Sequence, residues 1–393
     1  MAITDKEKGV WGLDQVYNKI NQGSIWEYTG EQELWVWGYN EYGNLGQNQG
    51  PGYNISSPTQ IPGTTWSTNF HSYGFANEKA VILSKTDGTL WAWGKNERGQ
   101  LGQNQVGNPT SRSSPVQIPG TTWSFTSRGD KLMSAIKTDG TLWIWGDSTK
   151  GALGQNEGPG NDRSSPVQIP GTTWSKCYIG INGGFAFKTD GTLWGWGNGG
   201  NGILSQNSQT EYSSPVQIPG NWSHARTSNY RSSGVKTDGT LWSWGANSAG
   251  ELGLNNRGPS YYYSSPVQVG SGTDWSKVFM GSEKAGAIKT DGTLWIWGNN
   301  YGGTLGQNAP DNDKISSPTQ VPGTTWSDAS MSYSNVLATK TDNTMWGWGK
   351  NNVGNLGQNN RTDYSSPVQI PGTAWNNVQV IGGGSAGMAV KVL

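Results

Sequence analysis

The sequence has very few of the residues that most often bind metals or act as nucleophiles. Its 393 residues include one cysteine, Cys177, and two histidines, His71 and His224. A single cysteine excludes a disulfide within this sequence and leaves the compartment open. The histidines stand at different offsets in their repeats, so neither a metal cluster of the usual spacing nor a Cys–His nucleophile pair is predicted. We therefore expect no metal and no cofactor.

Charge and long apolar runs are also scarce. Only 14% of the residues are charged, and the formal net charge is +0. This balance argues against nucleic acid and against an anionic membrane surface as partners. No apolar run reaches membrane-spanning length, so no membrane insertion is expected. The first ten residues, MAITDKEKGV, are charged and lack an apolar core, so no secretory signal is expected.

Glycine and tryptophan, in contrast, are abundant, and a repeat accounts for most of the tryptophans. The chain has 60 glycines and 23 tryptophans. A five-residue motif, Leu-Trp-x-Trp-Gly, occurs seven times (once with Met in place of Leu), 48 to 56 residues apart. The copies cover residues 34–38, 90–94, 142–146, 193–197, 241–245, 294–298 and 345–349. A period of this length is typical of a solenoid, a propeller or an array.

Each repeat predicts four short strands, which we name A to D. In residues 275–320, strand A is expected near 277–280, strand B at 285–289, strand C at 294–297, and strand D from 319. A Thr-Asp-Gly-Thr segment joins B to C, and Asp-Gly readily adopts the positive φ angles of a two-residue hairpin. A longer connection with Gly-x-Leu-Gly-Gln-Asn joins C to D. Seven such units predict an all-β, seven-bladed β-propeller with four-stranded blades.

The two ends of the chain are predicted to share one blade. Six copies of the motif follow Lys-Thr-Asp-Gly/Asn-Thr, but the first follows Gly-Glu-Gln-Glu, and residues 388–393 match a strand B. The C-terminal end therefore supplies strands A and B to a blade whose strands C and D come from the N-terminal end. This arrangement leaves no open sheet edge. We expect the propeller over residues 32–393, after an N-terminal arm over residues 1–31.

These motifs resemble the regulator-of-chromosome-condensation repeat, whose fold is a seven-bladed propeller. The run A-x-K-T-D-G-T-L-W-x-W-G, followed by G-x-L-G-Q-N and S-S-P-V-Q-I, carries the resemblance over about nine tenths of the chain. The resemblance implies the fold but no single function, because members include an exchange factor for a small GTPase, a UV-B photoreceptor and a β-lactamase inhibitor. The sequence lacks the basic tail expected of a chromatin binder.

A second resemblance concerns the N-terminal arm. The segment GVWGLDQVYNKINQGSIW, residues 9–26, resembles the opening of tailed-phage virion proteins, which implies that residues 1–30 dock onto other virion proteins. Apolar residues at helical spacing predict a short helix over residues 13–21. The candidate anchoring residues are Trp11, Leu13, Val16, Tyr17, Ile20 and Trp26.

Strand order predicts that sequence variation collects on one face of the ring. The A–B turns and C–D loops must share one face, and the B–C turns and D–A loops must share the other. The B–C and D–A segments hardly differ between repeats, whereas the A–B turns and C–D loops differ in almost every repeat. We call these two surfaces the uniform face and the variable face.

The variable face carries the candidate binding residues. Tyrosine and arginine among glycine, serine and asparagine are typical of adaptable recognition loops. Loops also drift in sequence when nothing depends on them, so recognition and drift stay open as alternatives. The best single candidate is residues 261–263. The candidates for binding an unknown protein or glycan are Tyr53, Arg112, Arg163, Tyr212, Tyr261, Tyr262, Tyr263, Arg361 and Tyr364 in the C–D loops, and Arg128 and Arg231 in the A–B turns.

The repeated charged residues have structural interpretations. Seven equivalent lysines could form an anion-binding ring, but pairing with the aspartate two positions on, or with a neighbouring blade, is favoured. The aspartates of the Asp-Gly turns could suggest calcium, but turn chemistry is favoured. No carboxylate pair stands out as a glycoside-cleaving pair, so no enzymatic activity is predicted. The lysines are Lys85, Lys137, Lys188, Lys236, Lys289, Lys340 and Lys391.

The sequence therefore predicts a non-enzymatic binding or structural propeller. The favoured setting is a phage virion, where residues 1–30 anchor a tail or capsid appendage that displays the variable face. The first alternative is a bacterial protein-binding or inhibitor propeller, either cytoplasmic or extracellular by a non-classical route. The second alternative is a carbohydrate-binding or carbohydrate-cleaving propeller.

Overall fold

Twenty-eight strands form seven sheets in the part of the chain that the structure describes. The computed structural model describes residues 32–72, 79–228, 230–258, 261–309, 311–381 and 384–392. The strands are Gln32–Gly38 (β1), Ile55–Ile61 (β2), Phe70–Ser72 (β3), Ala80–Ser84 (β4), Leu90–Gly94 (β5), Arg112–Ile118 (β6), Trp123–Arg128 (β7), Leu132–Lys137 (β8), Leu142–Gly146 (β9), Arg163–Ile169 (β10), Trp174–Ile179 (β11), Gly183–Lys188 (β12), Leu193–Gly197 (β13), Tyr212–Ile218 (β14), Trp222–Thr227 (β15), Arg231–Lys236 (β16), Leu241–Ala246 (β17), Tyr262–Gln268 (β18), Trp275–Met280 (β19), Lys284–Lys289 (β20), Leu294–Asn299 (β21), Lys314–Gln320 (β22), Trp326–Met331 (β23), Asn335–Lys340 (β24), Met345–Gly349 (β25), Tyr364–Ile370 (β26), Trp375–Ile381 (β27) and Ala386–Val392 (β28). Four short 3-10 helices lie in the C–D loops, at Asn108–Thr110, Thr149–Gly151, Gly200–Gly202 and Tyr301–Gly303.

The predicted blade is confirmed. In the sixth blade, for example, strands β19, β20, β21 and β22 pair in sequence order and antiparallel, as strands A to D. The Asp-Gly hairpin joins β20 to β21, and its glycine, Gly292, has the positive φ that such a turn demands. Strand D begins earlier than the sequence suggested, at Lys314.

The predicted closure of the ring is also confirmed. The first blade has the strand order β2-β1-β28-β27, so both ends of the described chain contribute to it. The register runs without interruption from Gln32 opposite Val392 to Gly38 opposite Ala386. Closure by backbone hydrogen bonds between distant parts of the chain leaves neither of these strands as a free edge.

The second blade departs from the predicted pattern. Trp66 bridges Lys85 as the first residue of a strand A should. The chain then leaves this blade, and β3 pairs in parallel with β7, the innermost strand of the third blade. Asn377 donates hydrogen bonds to the carbonyl oxygens of Thr68 and Phe70, so the diverted backbone is held from the first blade.

The second tryptophan of each motif fixes neighbouring blades together. All seven of these side chains are fully buried. Each indole N–H donates to a backbone carbonyl in the C–D loop of the preceding blade, as Trp145 does to Gln100 at 2.9 Å, and Trp37 closes the ring through Asn355 at 3.0 Å. The other five pairs are Trp93–Asn44, Trp196–Ala152, Trp244–Ile203, Trp297–Glu251 and Trp348–Thr304.

The glycine that ends each motif is required by close backbone contact. Gly94 has a φ of 94°, which side chains rarely tolerate. A Cβ atom on Gly94 would lie 2.1 Å from the carbonyl oxygen of Lys79 in the A–B turn. The last glycine of the motif therefore lies where strand C contacts the A–B turn of the variable face.

Candidate interaction surface

Backbone hydrogen bonds join the loops of the variable face within every blade. At the end of strand C, one backbone N–H donates a hydrogen bond to the carbonyl of the residue just before strand B. Lys95 donates to Lys79 and Ala246 donates to Tyr230, each at 2.8 Å. The other five pairs are Tyr39–Ser385, Asp147–Lys131, Asn198–Asn182, Asn299–Glu283 and Lys350–Ser334. The A–B turns and C–D loops therefore do share one face, as predicted.

The uniform face is held together by a different set of bonds. The B–C turn of each blade is bound to the D–A loop that precedes the same blade. For example, the N–H of Thr138 in the B–C turn donates to the carbonyl of Thr122 in the D–A loop at 2.8 Å. In five of the seven loops, the next residue is a tryptophan whose N–H donates to the B–C turn of the preceding blade, as Trp123 N–H does to Gly88 O at 3.0 Å. A segment that bonds to two blades at once has little freedom to vary, which explains why four of the seven D–A loops share the sequence PGTTW.

Side chains of the Asp-Gly turns form a second repeated network. One carboxylate oxygen of Asp139 accepts from the backbone N–H of Thr141 at 2.9 Å and from its hydroxyl at 2.7 Å. The Thr141 hydroxyl oxygen in turn accepts from the indole N–H of Trp143 at 2.9 Å. These bonds hold the pKa of Asp139 below its ordinary value. The interpretation of these aspartates as turn residues is confirmed.

The seven repeated lysines lie against tryptophan rather than against the turn aspartates. The ammonium of Lys137 lies 4.8 Å from the ring centroid of Trp123 and 4.6 Å from that of Trp143. The other six lysines each contact an equivalent pair of indoles, at 3.6 to 5.6 Å. The predicted pairing with the aspartate two positions on is wrong, because threonine engages that carboxylate and the lysine makes cation–π contacts.

Five of the candidate binding residues occupy one repeated structural position. Each pairs with the last glycine of the motif, where strand D begins after a bulge, and each side chain is partly buried. Tyr263 and Tyr364 accept hydrogen bonds on their hydroxyl groups from Asn256 and Asn360 of their own loops, at 3.1 and 3.0 Å. These side chains brace the C–D loops. The five are Arg112, Arg163, Tyr212, Tyr263 and Tyr364.

Other candidates are exposed. Tyr53, Tyr261 and Tyr262 are 56%, 47% and 50% exposed, and Arg361 is also exposed. Among the described residues, every large apolar or aromatic side chain that is exposed lies in an A–B turn, in a C–D loop or, for Tyr262, at the first residue of strand D. These side chains are Tyr53, Val106, Tyr230, Tyr261, Tyr262 and Tyr333. Val106 was missed because a lone valine in a polar insert carries no distinct signal.

Arg128 and Arg231 are not surface residues, so their prediction as exposed candidates is wrong. They are 1% and 3% exposed. Arg128 donates to the backbone carbonyl of Ala80 at 2.9 Å. Arg231 pairs with the buried Glu251 at 3.0 Å and donates to the carbonyl of Ser282 in the next blade. Arginine carries five N–H donors, so a buried position that several acceptors surround suits it.

Two further residues at the start of strand B act as Arg231 does. Lys284 donates to the carbonyls of Ser332 and Tyr333, at 3.0 and 2.6 Å. Asn335 donates to the carbonyl of Gly384 at 3.0 Å. Each reaches the A–B turn of the following blade, so three successive A–B turns are held from a neighbouring blade. We call Arg231, Lys284 and Asn335 the latch residues.

The one cysteine is fully buried, and the two histidines are partly buried. Burial raises the pKa of the Cys177 thiol to about 12. Both imidazoles lie near the Tyr178 ring, His71 at 5.1 Å and His224 at 6.1 Å between centroids. Burial lowers the pKa of both histidines well below the ordinary value, and the Arg226 guanidinium, 3.7 Å from the Tyr178 centroid, lowers both further.

Three further sequence predictions concern the N-terminal arm, metal binding and membrane insertion. The candidate anchoring residues Trp11, Leu13, Val16, Tyr17, Ile20 and Trp26 lie outside the described residues. Within the described ranges, no three or more His, Cys, Asp or Glu side chains gather as metal ligands would. Those same ranges contain no helix with the length and apolarity needed to cross a membrane.

Comparisons with known proteins agree with this architecture. The chain is 25% identical over 343 residues to the human E3 ubiquitin-protein ligase HERC2, which covers 84% of this chain but only 7% of that protein. It is 25% identical over 341 residues to the ultraviolet-B receptor UVR8 of Arabidopsis thaliana, which covers 82% of this chain and 73% of the receptor. The chain therefore spans less than a tenth of the ubiquitin ligase.

Two solved structures have the same fold. The structure of human WBSCR16 has a TM-score of 0.77 and 18% identity, and the match covers 92% of this chain and 98% of that one. The structure of Prp20p from Saccharomyces cerevisiae has a TM-score of 0.77 and 16% identity, and covers 92% of both chains. A family model described as the RCC1-like domain matches residues 33–389. The chain belongs to the RCC1-like domain family.

Proposed function

We propose that this chain is a non-enzymatic module that binds a protein partner on its variable face. The observation that carries this proposal is the distribution of exposed aromatic and large apolar side chains, which in the described residues lie on that face alone. Tyrosine combines apolar contact area with a hydroxyl and loses little conformational entropy on binding. A surface that gathers such residues on one side fits recognition better than drift.

The arc from the fifth to the seventh blade is the preferred contact region. Tyr230 and Tyr261 lie on adjacent loops, because the consecutive N–H groups of residues 246 and 247 donate to their carbonyls. Tyr301 packs against Tyr333 with ring centroids 4.7 Å apart. We define the tyrosine arc as Tyr230, Tyr261, Tyr262, Tyr301 and Tyr333.

The latch residues support the choice of this arc. Lys284 holds the carbonyl of Tyr333, so the A–B turn that carries this tyrosine is fixed before a partner arrives. Arg231 and Glu251 form a buried pair directly below the Tyr230 turn. Loops that are ordered in advance lose less entropy on association. Within the arc, the turn of Tyr333 is therefore already held by the neighbouring blade.

A photo-crosslinking experiment tests the proposal. A photoreactive amino acid replaces Tyr261 in the full chain, and a matched chain carries it at Thr121, which is exposed on the uniform face. We expect a protein from the source culture to crosslink at position 261 and not at position 121. The double change Tyr261→Ala/Tyr262→Ala should weaken binding of that protein at least about tenfold, because aromatic hot spots dominate interfaces. Equal crosslinking at both positions would contradict the proposal.

The virion setting is a narrower proposal with separate support. It rests on the resemblance of residues 9–26 to tailed-phage virion proteins, and neither the described residues nor the relatives named above add to it. Under this proposal, residues 1–30 dock onto other virion proteins while the ring displays its variable face. Deleting residues 1–30 should then abolish incorporation into particles and leave the folding of the ring unchanged. A protein-binding or inhibitor propeller would keep its partner after the same deletion.

A further inference from the structure

Adjacent blades leave a repeated cleft between them. Between the first and second blades, the cleft has a volume of about 350 Å³. Gln47 lines it on one side, and Trp66, Lys85, Trp91 and Pro115 line it on the other. Equivalent residues form a cleft of about 260 Å³ between the third and fourth blades and one of about 500 Å³ between the fifth and sixth blades. The repeat thus builds one type of site several times.

Two hydrogen-bond donors in this cleft have unused capacity. The indole N–H of Trp66 is buried and has no acceptor among the described residues. The same is true at the equivalent positions Trp123, Trp275, Trp326 and Trp375. At the fourth and fifth blades, the equivalent indoles of Trp174 and Trp222 instead donate to the carbonyls of Pro170 and Pro219, each at 3.2 Å, so the lysine is the donor available there. The Lys85 ammonium makes cation–π contacts, but no described carboxylate lies within 4 Å of it. A buried N–H without an acceptor costs free energy, so this arrangement suits an incoming oxygen.

The two donors point to the same space beside a glycine. A Cβ atom on Gly63 would lie 3.4 Å from the Trp66 indole nitrogen and 3.8 Å from the Lys85 ammonium. At Gly372, both distances, to Trp375 and Lys391, are 3.4 Å. These glycines have positive φ and no side chain to fill this space. Both donors therefore lie beside the open side of the glycine.

The sixth blade provides its own acid at this position. Asp274 stands where the other repeats have threonine, asparagine or alanine. Its carboxylate lies 3.2 Å from the Lys289 ammonium. Its other oxygen and the Trp275 indole nitrogen lie 3.1 and 3.2 Å from the Cβ position of Gly272. In this cleft, the chain itself places a carboxylate beside the donors, whereas no ion pair with the equivalent lysines of the other blades is found among the described residues.

We propose that the inter-blade clefts bind an acidic saccharide, a pyranose residue that carries a carboxylate. The ammonium and the indole N–H bind the carboxylate through charge-assisted hydrogen bonds. The half-buried indole of Trp91 and the ring of Pro115 pack against the apolar face of the sugar. Repetition of the cleft around the ring matches a polymer of repeating acidic residues, since linked sites gain from effective concentration. This inference does not depend on the protein partner proposed above.

A saccharide fits the cleft better than an acidic peptide does. The donor pair stands at the end of an open groove whose walls are indole, proline and side-chain amide. The amide of Gln47 already donates to the carbonyl of Gln60 at 3.0 Å, which leaves its oxygen to accept from a hydroxyl. A peptide carboxylate would use the donor pair and leave the aromatic wall without a matching surface.

Titration of the full chain with a uronic acid trimer tests the proposal. The probes are trigalacturonate, its methyl ester and a tripeptide of glutamate, at low ionic strength, with calorimetry for affinity and native mass spectrometry for stoichiometry. We expect trigalacturonate to bind, and the ester and peptide to bind at least about tenfold more weakly, because each lacks one half of the recognised chemistry. Lys85→Gln should lower the number of bound trimers by one.

Asp274 allows a change that should create a site. Asp274→Asn removes the carboxylate that occupies the sixth cleft, so the number of bound trimers should rise by one. Asp313→Asn is the matched control, because it removes the same charge from an exposed position on the variable face. An identical gain in both variants would overturn the proposal, as would absence of trigalacturonate binding. Equal binding of the glutamate peptide would overturn the assignment to a saccharide.

Discussion

The two faces of the ring use polar side chains in different ways. On the uniform face, the same Asp–Thr–Trp network recurs, as in Asp139, Thr141 and Trp143. On the variable face, polar contacts differ from blade to blade: Arg98 binds Asp162, whereas Lys284 binds two carbonyls of the next blade. The uniform face repeats one hydrogen-bond network that holds its hairpins. On the variable face, each loop has its own polar contacts, and selected side chains stay exposed.

This difference teaches that sequence variability and availability for binding are separate properties. Tyr261 and Tyr263 lie two positions apart in the same variable insert. Tyr261 is 47% exposed, whereas Tyr263 is partly buried and accepts a hydrogen bond from Asn256. Arg231 also directly follows a variable turn, as the first residue of strand B, yet it is 3% exposed. Variation on this face therefore includes structural residues that differ because each loop has its own shape.

The largest expected loss of stability comes from removing one of the buried tryptophans that join neighbouring blades. Trp145→Ala removes a fully buried indole and its hydrogen bond to Gln100. We expect a loss of about 3–5 kcal/mol in the free energy of unfolding, as for large-to-small changes of buried aromatic residues. Urea denaturation measures it. Tyr261→Ala/Tyr262→Ala is the control, with an expected change within about 0.5 kcal/mol. Similar losses in both variants would contradict the distinction between framework and display.

An intermediate loss of stability is expected at Arg231, which was assigned to the variable face from the sequence but is buried in the structure. Arg231→Met leaves the fully buried Glu251 without its cation. Removal of one partner of a buried ion pair should cost about 3 kcal/mol. The double variant Arg231→Met/Glu251→Met should recover part of this loss, because no unpaired charge remains. A double variant less stable than the single one would show that the pair is not the source of the effect.

The sequence was sufficient for the fold because the repeat specifies it locally. Asp-Gly between two alternating segments predicts a hairpin, and seven copies of Leu-Trp-x-Trp-Gly predict seven blades. The missing turn before the first copy predicts the shared blade, which the pairing of Gln32 with Val392 confirms. Each of these inferences depends on neighbours in the chain, and the repeat presents the same neighbours several times.

The surface could not be predicted in the same way, because contacts between blades decide it. The burial of Arg128 depends on the carbonyl of Ala80, 48 residues away, and that of Arg231 depends partly on Ser282 in the next blade. The lysines were predicted to pair with the aspartate two positions on or with a neighbouring blade. The actual partners of Lys137, Trp123 and Trp143, come from two other strands of its own blade and are close only after folding.

Lys284 gives the smallest and most specific test of the variable-face latches. Its side chain is 1% exposed, and burial lowers its pKa to about 7. This value already includes two smaller effects, an increase of the pKa by the Glu283 carboxylate and a decrease by the Arg231 guanidinium. The phenol of Tyr333, whose ring lies 5.9 Å from the ammonium, has a raised pKa. Within these surroundings, Lys284 is the group whose charge changes near neutral pH.

The pH dependence of stability follows from this lowered pKa. In the unfolded chain, lysine has a pKa of about 10.4, so between pH 7 and 10 the unfolded state binds more protons at this position. Stability must then rise with pH in that window, and it is lowest below pH 7, where folding buries the charged form. From pH 7 to 8.5, wild type should gain about 1–2 kcal/mol relative to Lys284→Met, which has no charge to bury. Urea denaturation of both chains across this range measures the difference, and every other titrating group is common to the two. Parallel curves would show that the Ser332 and Tyr333 carbonyls keep Lys284 protonated, which would make this latch as insensitive to pH as the Asp–Thr–Trp networks of the uniform face.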